Sequence, residues 1–257
     1  MMLLRRATHS DRVIGHYDRS RMASETIVSS PPKTFLRVYH MMEAKWALVA
    51  IRNQRLKVSR FENLNDPFEL FALNRHTQAA RKASKKFAAD FNTTHGLLCF
   101  GADWSNAVMW SHYGEKRKGI CLGFDVRRTL LQKIEYKDKR VRAALGSDPA
   151  TAILPPALQN QLACIKAKAW EYEEELRRFI DLTSTVSEPP LHFVPFDAGM
   201  QLKEVVLGDR CLEDLDGVRQ LVAGTSPSAV AFKARLAYRS FRVVLNGYTR
   251  PDRSPTK

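Results

Sequence analysis

The chain has 257 residues, 44% of them apolar and 9% aromatic, with a formal net charge of +14. That size and apolar content suffice for a folded core, and no apolar run reaches the roughly 20 residues that a membrane-crossing helix needs. The positive balance bears on partners rather than fold and favours polyanions; no zinc finger, RNP-type motif or glycine-rich KH loop accompanies it.

Residues 1–33 carry Arg5, Arg6, Arg12, Arg19 and Arg21 without an apolar run of signal-peptide length. They read as a disordered basic leader ahead of a single domain over 34–257, in a cytoplasmic protein. Ser29-Ser30-Pro31-Pro32 marks the boundary. Phe35 to Tyr39 alternates as a first strand. Glu43 to Asn53 has helical spacing, with Trp46 and Ala50 on its apolar side. Arg55 to Ser59 alternates as a half-wet strand, and Asn65-Asp66-Pro67-Phe68 breaks the chain in a turn.

Arg75 to Phe91 predicts a helix with a basic face, and Gly96 to Phe100 a buried strand. Ser105 is placed to cap a short helix carrying Met109, Trp110 and Tyr113. Gly119 to Phe124 and, more weakly, Lys133 to Tyr136 read as strands. Pro155-Pro156 opens a helix running toward Lys168. Trp170 to Arg177 and Arg178 to Leu182 read as strand, followed by strands at Leu191 to Val194 and at Lys203 to Leu207, closed by Gly208. A helix at Leu212 to Ala223 and a last strand at Ser240 to Leu245 complete the series. Many strands with helices interspersed early predict an α+β fold, with mixed or antiparallel sheets and helices packed around them, rather than a regular βαβ alternation.

The common catalytic strings are missing: there is no P-loop, no G-x-G-x-x-G, no G-x-S-x-G elbow and no H-E-x-x-H. The four cysteines form no C-x-x-C pair, and the seven histidines no i, i+4 pair, so neither a zinc site nor a redox motif is signalled. The sharpest signal is Trp170-Glu171-Tyr172-Glu173-Glu174-Glu175-Leu176-Arg177. As a strand it would point Glu173, Glu175 and Arg177 to one face, where clustered carboxylates shift each other's protonation; the plain alternative is a solvated strand with an in-strand ion pair. His40, at a strand end, is either a capping histidine or a group for a ligand hydroxyl. Asn65 and Asp66 form a structural turn or touch a ligand. His112 and Tyr113 bring polar rings to a helix end, where either stacks on a flat ligand or simply completes the core.

Taken together, Val38-Tyr39-His40, Ser59 to Glu69, Cys99-Phe100-Gly101, Met109 to Gly114, Lys118-Gly119-Ile120 and Trp170 to Arg177 resemble, in order and spacing, domain of unknown function 2971, a bacterial family without an assigned activity. The resemblance covers about residues 35 to 210, and it adds Ser59 to the candidate binding residues. Gly101, Gly114 and Lys118 depart from the usual Ser, Ala and His. A more distant similarity links the order of strand-end His, aromatic element and E-x-E strand to ADP-ribosyltransferases. It implies that NAD is the substrate, that His40 holds a ribose, that Tyr113 stacks on nicotinamide, and that Glu175 is the catalytic carboxylate with Glu173 assisting. It also implies an effector in toxin or phage defence. The alternative is a non-catalytic module that binds nucleic acid through its basic surface; a metal-dependent phosphoester hydrolase is weaker, for want of a second carboxylate motif.

Overall fold

In the computed structural model, residues 28–145 and 148–249 are described; the part of the expected leader up to residue 27 lies outside them. Strand β1 (Phe35–Met42) runs into helix α1 (Ala44–Asn53) and strand β2 (Arg55–Lys57). The buried face of α1 is Ala44, Ala47, Ala50 and Ile51. Contrary to the sequence reading, Trp46 is 56% exposed, with the Lys45 ammonium 5.1 Å from its ring. The small alanines bring the helix close to the sheet and leave no room there for an indole.

Helix α2 (Gln78–Thr94) passes directly into β3 (His95–Gly101), and Thr77 caps it by accepting a hydrogen bond from the Ala80 amide at 3.1 Å. The short α3 (Ala107–His112) is capped by Asn106 rather than by Ser105. The Asn106 Oδ1 accepts from the Val108 amide at 2.9 Å, whereas Ser105 Oγ donates to Asp103 Oδ2 at 2.7 Å. Then come β4 (Ile120–Arg127), β5 (Gln132–Lys133), β6 (Glu135–Lys137), α4 (Pro156–Ala163) and β7 (Ile165–Ala167).

The helix expected to reach Lys168 therefore stops five residues early. Its terminal carbonyls find other donors: Cys164 O takes the Glu135 amide at 2.8 Å and Ala163 O takes Arg177 at 3.0 Å. The expected strand over Trp170–Arg177 is also corrected. Lys168–Glu173 is a 3-10 turn, Glu174 is left-handed (φ 44°, ψ 46°), and β8 (Glu175–Asp181) begins only after it. The remaining elements are β9 (Val186–Glu188), β10 (Leu191–Pro195), β11 (Met200–Leu207), α5 (Leu215–Thr225), β12 (Val230–Leu236) and β13 (Val243–Leu245); β9 and β12 have no counterpart in the sequence reading.

The fold is α+β. Its main sheet has the order β13-β12-β11-β4-β1-β3-β8-β5, antiparallel except where α5 crosses over between the parallel β11 and β12. Central β4 is buried through its first seven residues. Ile120, Leu122, Phe124 and Val126 face a core shared with α1 and α5, while Cys121 meets Trp110, Val206 and Phe232 on the other side, as period-2 alternation requires. A third apolar cluster joins α2 to Phe61, Leu97 and Leu162.

The sheet opens at one place. Strand β1 pairs with β4 along its whole length, and β3 with β8 along its own, but β1 and β3 are in register only at Tyr39 and Gly101. Beyond that point Ser59 takes the edge of β3, exchanging hydrogen bonds with Leu97 at 2.9 and 3.0 Å. The split between β1 and β3 positions the site.

Candidate active site

A cavity of about 260 Å³ opens at the split. Tyr39 and His40 of β1 and Cys99 and Phe100 of β3 form its walls; Ser59 and Asn65, on the segment crossing the gap, and Met109 of α3 with Tyr113 just beyond its end close the sides. Lys166, Glu173 and Glu175 complete the lining.

Those three belong to a buried ionic network. The Lys166 ammonium donates to Glu173 Oε2 and to Glu175 Oε2 at 3.2 Å, and sits 4.9 Å from the Trp170 ring centre. The Tyr113 hydroxyl donates to Glu173 Oε1 at 2.5 Å. Behind them Arg177, fully buried, donates to Glu175 at 2.8 and 3.1 Å, to Glu69 at 2.5 and 3.0 Å, and to Ala163 O. All five guanidinium N–H groups are thereby used. Glu69, Glu173 and Glu175 stand against Lys166 and Arg177, so with every group ionised the network carries one net negative charge. Burial pushes the Glu175 carboxyl up, but Arg177 and Lys166 outweigh it and hold it below its ordinary value. Burial dominates at Glu69 and raises its carboxyl despite Arg177. Lys166 is held above its ordinary value because both glutamates offset its desolvation. Burial, and then the bond to Glu173, raise the Tyr113 phenol, which stays a neutral donor.

His40 Nδ1 lies 2.7 Å from Cys99 O. A carbonyl only accepts, so Nδ1 carries the proton, and the neutral ring keeps Nε2 as an acceptor. Burial pushes the imidazole below its ordinary value, against the raising effect of that bond. Between the ordinary value near 6.5 and the lower folded one, the unfolded chain binds the extra proton, so stability is full above pH 6.5 and falls as the pH drops below it. His40→Gln is expected to flatten this part of the urea-midpoint profile between pH 7 and 5, where one proton contributes at most about 1.4 kcal/mol per pH unit. Identical profiles for variant and parent would refute the assignment. Cys99 also lines the cavity, but burial raises its thiol far above the ordinary value, the opposite of what a thiolate nucleophile needs.

Of the residues singled out from sequence, His40, Ser59, Asn65, Tyr113, Glu173 and Glu175 meet at this cavity. Arg177 lies behind it as the partner of two carboxylates. His112 is exposed, with its ring 6.2 Å from Tyr172 and off the cavity. Asp66 is buried, accepts from the Phe68 amide at 2.9 Å as a turn residue does, and lines a second cavity. Lys166 and Glu69 had not been singled out. Lys166 lay inside an expected helix, and Glu69 closed a turn motif; no local pattern announces that either joins the acidic string. Among the described residues no group of three or more His, Cys, Asp or Glu could hold a metal ion, and no helix is long and apolar enough to cross a membrane.

Residues 109–178 match the family model described as a protein of unknown function (DUF2971). The matched stretch holds Tyr113, Lys166, Glu173, Glu175 and Arg177, and it supports the family resemblance there. No curated protein matches the chain, and no solved structure does.

Proposed function

We propose that the cavity binds the nicotinamide–ribose end of NAD and cleaves its glycosidic bond, as an ADP-ribosyltransferase or NAD glycohydrolase does. The observation that carries this reading is the buried Glu173 and Glu175 carboxylate pair beside a neutral histidine acceptor and a tyrosine ring in one cavity. In such a reaction the C1′–N bond breaks, nicotinamide leaves with the bonding pair, and positive charge develops on the ribose. A nucleophile or water then bonds to C1′ and gives its proton to solvent. Fixed carboxylate charge stabilises that oxocarbenium-like state where it forms. Glu175, its oxygens held by Arg177 and Lys166, supplies the fixed field, and Glu173 assists beside Tyr113. His40 Nε2 is suited to accept from a ribose hydroxyl, and Tyr113 to pack on the pyridine ring. The volume is below the roughly 300–1,000 Å³ of sites for drug-sized ligands; it suits a ring and one sugar, with the rest of the dinucleotide across the open mouth. A cytoplasmic effector role in toxin or phage defence goes with this reading.

Incubating the purified protein with NAD tests the proposal. Free nicotinamide is expected, with release falling on the order of 100-fold in Glu175→Gln. Wild-type turnover by a folded Glu175→Gln variant, its circular dichroism unchanged, refutes the role of that carboxylate. No release from the parent protein refutes the activity.

A second reading, a polyanion-binding module, is favoured by the net charge of +14. On this reading the module is non-catalytic and nucleic acid is its partner.

A further inference from the structure

A second cavity, of about 160 Å³, shares Lys166 with the first. It lies between two segments held side by side by backbone hydrogen bonds: Asn74 N to Val141 O at 2.7 Å and Val141 N to Ala72 O at 2.8 Å. Phe68 and Phe71 of the first segment and Lys137, Lys139 and Arg140 of the second line it, and Arg75, outside the lining itself, flanks it against Phe71. Each guanidinium lies over an aromatic face, Arg140 at 4.8 Å from the Phe68 ring centre and Arg75 at 4.3 Å from that of Phe71.

The cations here are poorly neutralised. Lys137 pairs with Glu135 at 2.7 Å, and Asp138 faces Lys168 at 3.6 Å. The Asp66 carboxylate is engaged by the Phe68 amide. Among the described residues Arg75, Lys139 and Arg140 have no carboxylate partner, and Arg75 Nε is buried without a hydrogen bond. Burial, and then the charge of Arg140, both push the Arg75 guanidinium down, as expected of like charges held close with no anion between them. Phe68, meanwhile, is 46% exposed.

We propose that this cleft is a docking site for a single-stranded polynucleotide, whose phosphates pair with Arg75, Lys139 and Arg140 and one of whose bases stacks on Phe68. Unpaired cations around an exposed ring suit the alternating phosphates and flat bases of such a strand, and a base stacks on a guanidinium plane as well as on a ring. A duplex, with its bases already stacked, leaves the ring unused. The inference rests on the polyanion reading and is independent of the NAD chemistry.

Fluorescence anisotropy of a labelled 12-nucleotide oligo-dT with the full chain, in the absence of NAD, tests it. The parent is expected to bind with a steep salt dependence. The double variant Arg75→Gln/Arg140→Gln is expected to lower the slope of log K against log salt by about 1.4, and Phe68→Ala to weaken binding about 5- to 100-fold. Lys85→Gln/Lys86→Gln, on the exposed face of α2, serves as the control and is expected to stay within twofold. Equal losses in the control and the cleft variants overturn the site while leaving the polyanion reading in place, and absence of binding overturns both. Full displacement of the oligonucleotide by equimolar pyrophosphate assigns the cleft to a small anion and overturns the strand.

Discussion

Arg177→Met is expected to destabilise the protein by about 3–5 kcal/mol, because it leaves buried carboxylates without their cation. Arg177 is fully buried and bonds Glu69 and Glu175 through both ends of its fork, so its loss removes the ion-pair partner of Glu69 and leaves Glu175 with Lys166 and the Cys99 thiol. Against a total stability of roughly 5–15 kcal/mol, the melting temperature should fall on the order of 10 °C. Arg177→Lys is not expected to rescue it, since one ammonium cannot present two parallel pairs of donors to two carboxylates. Adding Glu69→Gln to Arg177→Met removes one stranded charge and should recover part of the loss, a coupling of about 1 kcal/mol or more. A change within about 0.5 kcal/mol, the range of ordinary surface substitutions, would show that the network does not hold the site.

The second large effect concerns glycines used for closeness rather than for left-handed backbone. A Cβ on Gly119 would stand 2.2 Å from Met42 O, and one on Gly208 2.1 Å from Arg117 O. Both obstacles are backbone carbonyls, and the two glycines are joined by a 3.0 Å bond from Gly208 N to Gly119 O. Gly119→Ala and Gly208→Ala are each expected to cost about 3 kcal/mol, the upper end of overpacking penalties. Gly224, near the end of α5, has nothing within 4 Å of the same position, and Gly224→Ala is expected to stabilise by up to about 1 kcal/mol. Chemical denaturation of the three variants checks both signs; a loss at Gly224 equal to that at Gly119 would refute the packing argument. Among the described residues left-handed backbone falls instead on non-glycine residues, including the consecutive Glu115, Lys116 and Arg117 at φ 51°, 54° and 72°.

Where side-chain period and backbone agree, the sequence is readable. Strands β1, β3, β4 and β11 and helices α2 and α5 follow their apolar spacing closely, and α1 does so except at the exposed Trp46. Strand β12 escaped because it is buried on both faces, at Ala231 on one and at Phe232 and Ala234 on the other, and such a run with two alanines is as compatible with helix as with strand. The acidic string is the instructive case. Its charged residues do converge, but Glu173 gets there from a 3-10 turn and Glu175 from a strand, with the left-handed Glu174 between them. Nothing in a run of glutamates announces a positive φ, which is uncommon outside glycine, asparagine and aspartate. Lys166 and Glu69 were unreadable for other reasons: Glu69 lies 108 residues from Arg177, and Lys166, although only 7 and 9 residues from Glu173 and Glu175, reaches them because the expected helix gives way to β7 and a 3-10 turn.

The order of strands in the main sheet has a consequence for synthesis. Strand β4 ends at Arg127, and its outer neighbour β11 starts only at Met200. At roughly 5–20 residues per second, a ribosome takes about 4–15 s to deliver it. Throughout that interval the nascent chain presents an unpaired, strongly apolar edge of β4, the kind of surface that recruits other strands. Aggregation during synthesis is therefore concentrated in that interval, before residues 200–207 arrive to cover the edge.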